Sequence, residues 1–201
     1  MSRPDSHLIL ASPSLCRHDT LLGEPAATSA LACLDKALDW QQPCLRLYGR
    51  EHPIPRRQVW MGDAEARYRY SGKHFSPDSW HPVVSDIRNA VIARLELAGI
   101  EADFNSVLLN RYGNGQERMG WHNDDEPELG PNPLIAAVSL GCERPLRFRW
   151  KQKEGSAFNV WLPHDSLLVM GKGVQARLQH AILPRKVPGL RISLTFRLIC
   201  P

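Results

Sequence analysis

Near the end of the chain, residues 191–197 read Arg191-Ile192-Ser193-Leu194-Thr195-Phe196-Arg197, polar and apolar in strict alternation. Strand side chains point to opposite faces in turn, so Ile192, Leu194 and Phe196 share one face and Arg191, Ser193, Thr195 and Arg197 the other. At ~3.3 Å per residue the two arginine Cα atoms lie about 20 Å apart. Guanidinium arms leaning toward each other from those positions can hold the two ends of a short dianion, bidentately at a carboxylate. The plain alternative is a solvated strand face that carries two arginines.

Working outward, His180 precedes this strand and His122-Asn123-Asp124 lies further upstream. In an extended segment an H-x-D pair holds imidazole and carboxylate on one side, and a histidine from another strand completes two-His-one-carboxylate ligation. Such a set leaves metal positions open for a cosubstrate and O2, which is what a non-haem Fe(II) oxygenase requires. Alone, H-x-D says little in a chain with 8 histidines, and zinc is an equal candidate. The arginine strand behind the second histidine favours iron with an acidic cosubstrate. Val107–Tyr112 reads as another strand, ended by the turn Gly113-Asn114-Gly115. Its Asn110 and Tyr112 share a face, and both can hydrogen-bond an oxyacid.

The rest of the chain reads as mainly β with flanking helices. Apolar spacing predicts a helix over 29–40 on Ala30, Leu31, Leu34 and Leu38, and another over 79–98 on Val83, Ile87, Val91 and Leu95. Pro82 suits the first turn of the second and Gly99 its stop. Strands are expected near 104–112, 134–140, 145–150, 157–162, 166–170, 177–182 and 190–199. Many short strands with Gly/Pro turns indicate a sandwich or barrel, and a jelly roll fits because its mouth gathers ligands from several strands. Residues 1–28, rich in Pro and Ser, are expected to be loose. At 201 residues the chain is one domain with room for a sizeable core. Without a run of about 18 apolar residues or a basic-then-apolar leader, neither membrane insertion nor secretion is expected. Cys16, Cys33, Cys44, Cys142 and Cys200 are scattered without a C-x-x-C pair and read as reduced cytosolic thiols.

Taken together, Asn110-Arg111-Tyr112, His122-Asn123-Asp124-Asp125-Glu126, His180 and Arg191 to Arg197 resemble the AlkB family of Fe(II)/2-oxoglutarate-dependent nucleic-acid dealkylases. The resemblance runs from about residue 45 to the C-terminus. Pro55-Arg56-Arg57-Gln58, Gly62-Asp63-Ala64 and Tyr68-Arg69-Tyr70-Ser71-Gly72 look most similar to the branch that repairs alkylated bases in duplex DNA. The resemblance implies a double-stranded β-helix (jelly roll) core over about 104–201, with a nucleotide-recognition lid over about 40–75. It also implies iron on His122, Asp124 and His180, and 2-oxoglutarate on Asn110, Tyr112, Arg191, Thr195 and Arg197. Ser193 stands where some members carry asparagine beside the cosubstrate. Tyr70 would stack on the flipped base with the His122 ring across from it, while Tyr68, Ser71 and Asp125 would touch the lesion or its surroundings. In the stretch Leu45 to Arg50, Tyr48 would wedge into the gap the base leaves, with Gly49 at the turn and Arg46 and Arg50 on phosphates. The implied reaction consumes O2 and 2-oxoglutarate, yields succinate and CO2, hydroxylates an N-alkyl carbon of a 1-methyladenine- or 3-methylcytosine-type lesion, and releases an aldehyde.

Charge fits a nucleic-acid partner. Net charge is +4, and 19 of the 25 basic residues are arginine. Arg46, Arg50, Arg56, Arg57, Arg67 and Arg69 interleave with Tyr48, Trp60, Tyr68 and Tyr70, a pattern suited to phosphate contact plus base stacking. On charge alone a solvated face is the better reading; the metal motif behind it turns the balance toward nucleic acid. A second basic cluster, Arg144, Arg147, Arg149, Lys151 and Lys153, could grip a second strand. The expectation is therefore a monomer acting on alkylated DNA, duplex before single strand, in the cytoplasm (on the nucleoid in a bacterium) or in a eukaryotic nucleus. The same chemistry on RNA or protein, and a non-enzymatic zinc-binding domain that docks nucleic acid, stand as alternatives.

Overall fold

The computed structural model describes residues 6–47, 49–66, 68–70 and 73–200, with backbone alone at 47, 68–70 and 73–75. Its elements in chain order are strands β1 (Ser6–Leu10) and β2 (Leu15–His18), helix α1 (Glu24–Ala37), and strands β3 (Cys44–Leu47), β4 (Arg50–Pro53), β5 (Arg57–Gly62), β6 (Tyr68–Tyr70) and β7 (Lys73–Phe75). Helix α2 (Pro82–Leu97) follows, then strands β8 (Ser106–Tyr112), β9 (Met119–His122), β10 (Ile135–Gly141), β11 (Arg144–Trp150), β12 (Phe158–Leu162) and β13 (Ser166–Met170). The one-turn helix α3 (Val174–Arg177) leads into β14 (Leu178–Ile182), and β15 (Arg191–Arg197) closes the order.

The strands assemble into a seven-stranded sheet, β1-β2-β13-β10-β15-β8-β5, and a four-stranded sheet, β12-β11-β14-β9. Pairing in both is antiparallel. Alternation along the large sheet sends Val59, Val107, Leu109, Val138, Leu167, Ile192, Leu194 and Phe196 to one side, where they pack on Ala27, Ala30 and Leu34 of α1 and Val84, Ile87, Val91 and Leu95 of α2. Its other side carries Leu15, Ile135, Ala137, Leu168 and Met170 against Leu146, Phe148, Val160, Leu162, Leu178 and Ile182 of the small sheet. The molecule is thus helices on sheet on sheet, the layered form of a jelly roll with flanking helices. Burial on both faces explains why β10 and β13 are apolar almost throughout.

This layering places the polar face of β15. It does not face water: it lies between the sheets, with Arg191 2% and Ser193 8% exposed. Register continues the polarity sideways, since Ser193 lies opposite Asn110 on one side and Ser139 on the other, and Asn110 opposite Gln58. A polar row therefore crosses an otherwise apolar interface.

Several expectations shift. Residues 6–18 are a hairpin at the large sheet's edge rather than loose chain. Helix α1 begins five residues before Ser29, with Pro25 inside its first turn, where a missing N–H costs nothing. The core does not start at 104, because β1, β2 and β5 complete the large sheet. Within the stretch expected as a lid, β3–β4 and β6–β7 are separate two-stranded hairpins, while β5 between them pairs with β8.

Candidate active site

Strands β9 and β14 pair so that His122 lies directly opposite His180, and their ring centroids are 4.3 Å apart. Asp124 sits two residues past the strand end, and ligand atoms of all three residues lie within 4.8 Å of one another. The His122 Nδ1–H donates to the Gly120 carbonyl at 2.9 Å, which leaves Nε2 as a lone-pair donor. Burial, reinforced by the neighbouring His122, draws the His180 pKa down to about 4, so its imidazole is neutral and ready to ligate. Burial opposes ionisation of Asp124, yet Arg197 above all, with His180 and His122, holds its carboxyl below the usual range. Asp124 Oδ1 takes Arg197 Nη2 at 2.5 Å, while the buried Oδ2 has no hydrogen-bond partner. Two imidazoles and one carboxylate oxygen left over fit a divalent cation with open positions.

The large sheet faces this triad with the polar row. Arg191 donates Nη2 to Ser139 Oγ at 2.9 Å, and its Nε and Nη1 are buried without a partner. Burial lowers its pKa to about 10, which leaves it charged at neutral pH. It packs beside the Tyr112 ring, 5.4 Å from the centroid, and Tyr112 is its cross-strand neighbour. A buried guanidinium with two idle donors costs free energy unless an anion arrives. Asn110 Oδ1 accepts from Arg56 Nε at 2.7 Å, so its Nδ2 remains as a donor. Asn110, Tyr112, Arg191, Ser193, Thr195 and Arg197 line one cavity together with His122, Asp124 and His180. Every residue expected to hold metal or cosubstrate is therefore in one place. The arrangement differs from a symmetric clamp: Arg191 offers idle donors, whereas Arg197 already grips Asp124.

Sequence reading missed three supporting residues. Arg56, expected on phosphates, is half-buried behind Asn110. Ser139 is a lone hydroxyl in the apolar run Ile135–Gly141, a pattern that could have marked it. Gln175, in α3, accepts the backbone N–H of Asp124 at 3.0 Å. Conversely, Arg144 does not grip a nucleic-acid strand. It is 1% exposed and donates to the carbonyls of Asn114, Glu117 and Leu183.

On the outside, Asp125 lies next to the triad and pairs with Lys151 at 3.6 Å. Gly49 turns the β3–β4 hairpin with φ 78°, a conformation suited to glycine, and Arg50 is exposed beyond it. Tyr48 and Ser71 lie outside the described residues; Tyr68 and Tyr70 have their backbone in β6. A second cavity, about 270 Å³, adjoins the first through Arg197. Trp60, Leu108, Glu126 and Leu129 are among the residues that line it.

A jelly roll with a His-x-Asp…His triad at one end of its sheets, and a buried arginine facing it, defines the class of non-haem metal oxygenases that take an acidic cosubstrate. Residues 15–197 match the 2OG-Fe(II) oxygenase superfamily, and the chain belongs to that family. It uses Fe(II), with 2-oxoglutarate and O2 as cosubstrates. Over 212 aligned residues it is 34% identical to the Mus musculus protein named DNA oxidative demethylase ALKBH2, covering 100% of this chain and 87% of that one. The Homo sapiens ALKBH2 is 35% identical over 92% of this chain and 73% of its own length. The human alpha-ketoglutarate-dependent dioxygenase alkB homolog 3 is 35% identical over 73% of this chain and 52% of its own. A solved structure described as "The structure of OsALKBH1" superposes with TM-score 0.66 at 17% identity, covering 96% of this chain and 100% of that chain, a likeness of fold. Among the described residues no helix is long and apolar enough to cross a membrane.

Proposed function

We propose that this protein oxidatively removes N-linked alkyl groups from bases in DNA, of the 1-methyladenine and 3-methylcytosine type, with release of an aldehyde. The observation that carries the reading is the pair of adjoining cavities. One holds the triad with the idle donors of Arg191, and the other, beside Arg197, is walled by a tryptophan, a leucine and a half-buried carboxyl group. The relatives named as demethylases of DNA support the choice of substrate.

In this reading His122, Asp124 and His180 bind the iron. With 2-oxoglutarate and O2, the bound metal supplies oxidation of an alkyl carbon, giving succinate and CO2 as co-products. Arg191 would take a cosubstrate carboxylate on Nε and Nη1, with the Asn110 amide, Tyr112, Ser193 and Thr195 completing the polar wall. Arg197 would balance the Asp124 charge and touch both cavities. Trp60 and Leu108 in the lining of the second cavity suit an extracted planar base, because a stacked base surface needs an apolar partner. Tyr68, Tyr70, Ser71 and Asp125 would hold the base and its surroundings, and residues 40–75 would act as the lid. Tyr48 would fill the gap left in the stack, Gly49 would allow the turn, and Arg50 would meet phosphate. Flipping costs a few kcal/mol, less where alkylation has already broken the pair, so part of the selectivity resides in the DNA. Duplex would be preferred to single strands, with the protein acting as a monomer where DNA is held, the nucleoid or the nucleus.

Succinate and aldehyde release should be followed with Fe(II), 2-oxoglutarate and, in parallel, methylated duplex, methylated single strand, methylated RNA and methylated peptide. Turnover on duplex DNA above the other three is expected. Turnover on RNA or peptide alone would overturn the assignment.

A further inference from the structure

We propose that Gln175 is a positioning residue for the metal site, one that pins Asp124 to the segment leading into the His180 strand. The inference rests on His122, Asp124 and His180 being the metal ligands.

Asp124 lies beyond the end of β9, where the ladder no longer supplies a carbonyl for its N–H. At 3% exposure, water does not readily supply one either. The acceptor is the Gln175 side chain, itself 2% exposed, whose Oε1 stands 3.0 Å from the Asp124 nitrogen. A second tie runs the same way, from Asn123 Nδ2 to the Gln175 backbone carbonyl at 3.4 Å. The far end of the amide is set by Met170 Sδ, 3.6 Å from Nε2, so the side chain is held at both ends. Gln175 belongs to the single turn α3, which runs straight into β14 and its His180. One side chain therefore joins the loop of the carboxylate ligand to the element of the second imidazole.

Metal binding asks that the idle Oδ2 of Asp124 face the two imidazoles while Oδ1 stays on Arg197. Arg197 fixes the carboxylate from the side-chain end, and Gln175 fixes the backbone from which the carboxylate springs. Without the backbone tie, Asp124 could meet Arg197 yet swing out of reach of the metal. Partners of this outer kind typically change metal affinity by about 10–100-fold when removed.

The test titrates the full metal-free chain with Mn(II), which binds such a site without redox turnover, and reads free Mn(II) by its paramagnetic resonance signal. Asp124→Ala serves as the control for the metal assignment. Gln175→Met, similar in shape but lacking the acceptor, should raise the Mn(II) dissociation constant about 10-fold or more. Its metal-free circular dichroism should match wild type. In turnover assays kcat should fall while KM for the oxidised substrate stays, because the substrate surface is untouched. Gln175→Glu, which keeps an acceptor oxygen in place, should bind Mn(II) within about threefold of wild type, a smaller loss than removal of an outer partner brings. If Gln175→Met does not fold, Gln175→Asn, too short to reach the Asp124 N–H, replaces it with the same expectation. Wild-type Mn(II) affinity in the variant lacking the acceptor overturns the role, as does an equal loss in folded Gln175→Glu. Failure of wild type to bind Mn(II), or undiminished binding by Asp124→Ala, would instead overturn the metal assignment beneath it.

Discussion

Asp124 is held by two opposing influences. Burial disfavours its charge, and the Arg197 guanidinium with the two imidazoles restores it. Such a carboxylate is poised for a cation rather than for packing. Asp124→Ala should lower turnover more than about 100-fold, since even outer partners of metal ligands cost 10–100-fold, while the circular dichroism spectrum stays as in wild type. Retained dealkylation in that variant would refute the ligand set. The chain also offers an internal contrast between two buried arginines. Arg144 spends its terminal nitrogens on three carbonyls, whereas Arg191 keeps Nε and Nη1 unpartnered beside the triad. Arg191→Lys keeps the charge but loses the planar fork, so 2-oxoglutarate should bind about 10-fold more weakly, roughly 1.4 kcal/mol. A calorimetric titration giving the wild-type constant would remove Arg191 from the cosubstrate site. Both arginines look alike in the sequence, because which carbonyls or cavities an arm meets is set by segments far away along the chain.

At the scale of elements, one side chain helps tie the segment between the N-terminal hairpin and α1 to the core. Asp165, with φ 65°, accepts the N–H of Leu22 and of Gly23 at the start of the helix. Asp165→Ala would strand these donors and should cost about 2 kcal/mol, seen as a melting temperature lower by about 4–8 °C. An unchanged melting temperature would mean that water replaces the carboxylate. The β3–β4 hairpin stands apart from both sheets with an exposed strand in β4, a form suited to contact with a partner. On the proposed function, Tyr48 is expected to wedge into duplex. Stacking is worth about 1–3 kcal/mol per base, so Tyr48→Ala should slow repair of methylated duplex about tenfold and leave single strands nearly unaffected. Equal effects on both substrates would exclude the wedge. Strands with clear alternation, such as β8 and β15, were legible from sequence. The strands β1, β2 and β9 were not, since short segments next to Pro, Ser and Gly gain their order from the neighbours they pair with.

For the whole molecule, the site lies between two sheets, so ligands that bind only the folded form should stabilise all layers together. Mn(II) at about 100 times its dissociation constant should add about 2.7 kcal/mol, or roughly 5–10 °C in melting temperature for a domain of this size. The increment should vanish in Asp124→Ala; an equal rise there would place the metal elsewhere.

By itself the sequence determined the chemistry available: an H-x-D pair, a later histidine, and an alternating strand with an arginine at each end, together with enough short apolar strands for a layered β core. These features are local, following from periodicity and from what imidazole, carboxylate and guanidinium can do. The tertiary structure alone decided that the polar face of β15 is interior, that His122 and His180 are cross-strand partners, and that Arg197 belongs to Asp124 while Arg191 keeps Nε and Nη1 unpartnered. It also decided that Arg56, Ser139 and Gln175 stand behind the site and that Arg144 is structural. The reason is physical: burial and pairing depend on which strands lie side by side and which layer covers them, and contacts across many tens of residues leave no periodic trace along the chain.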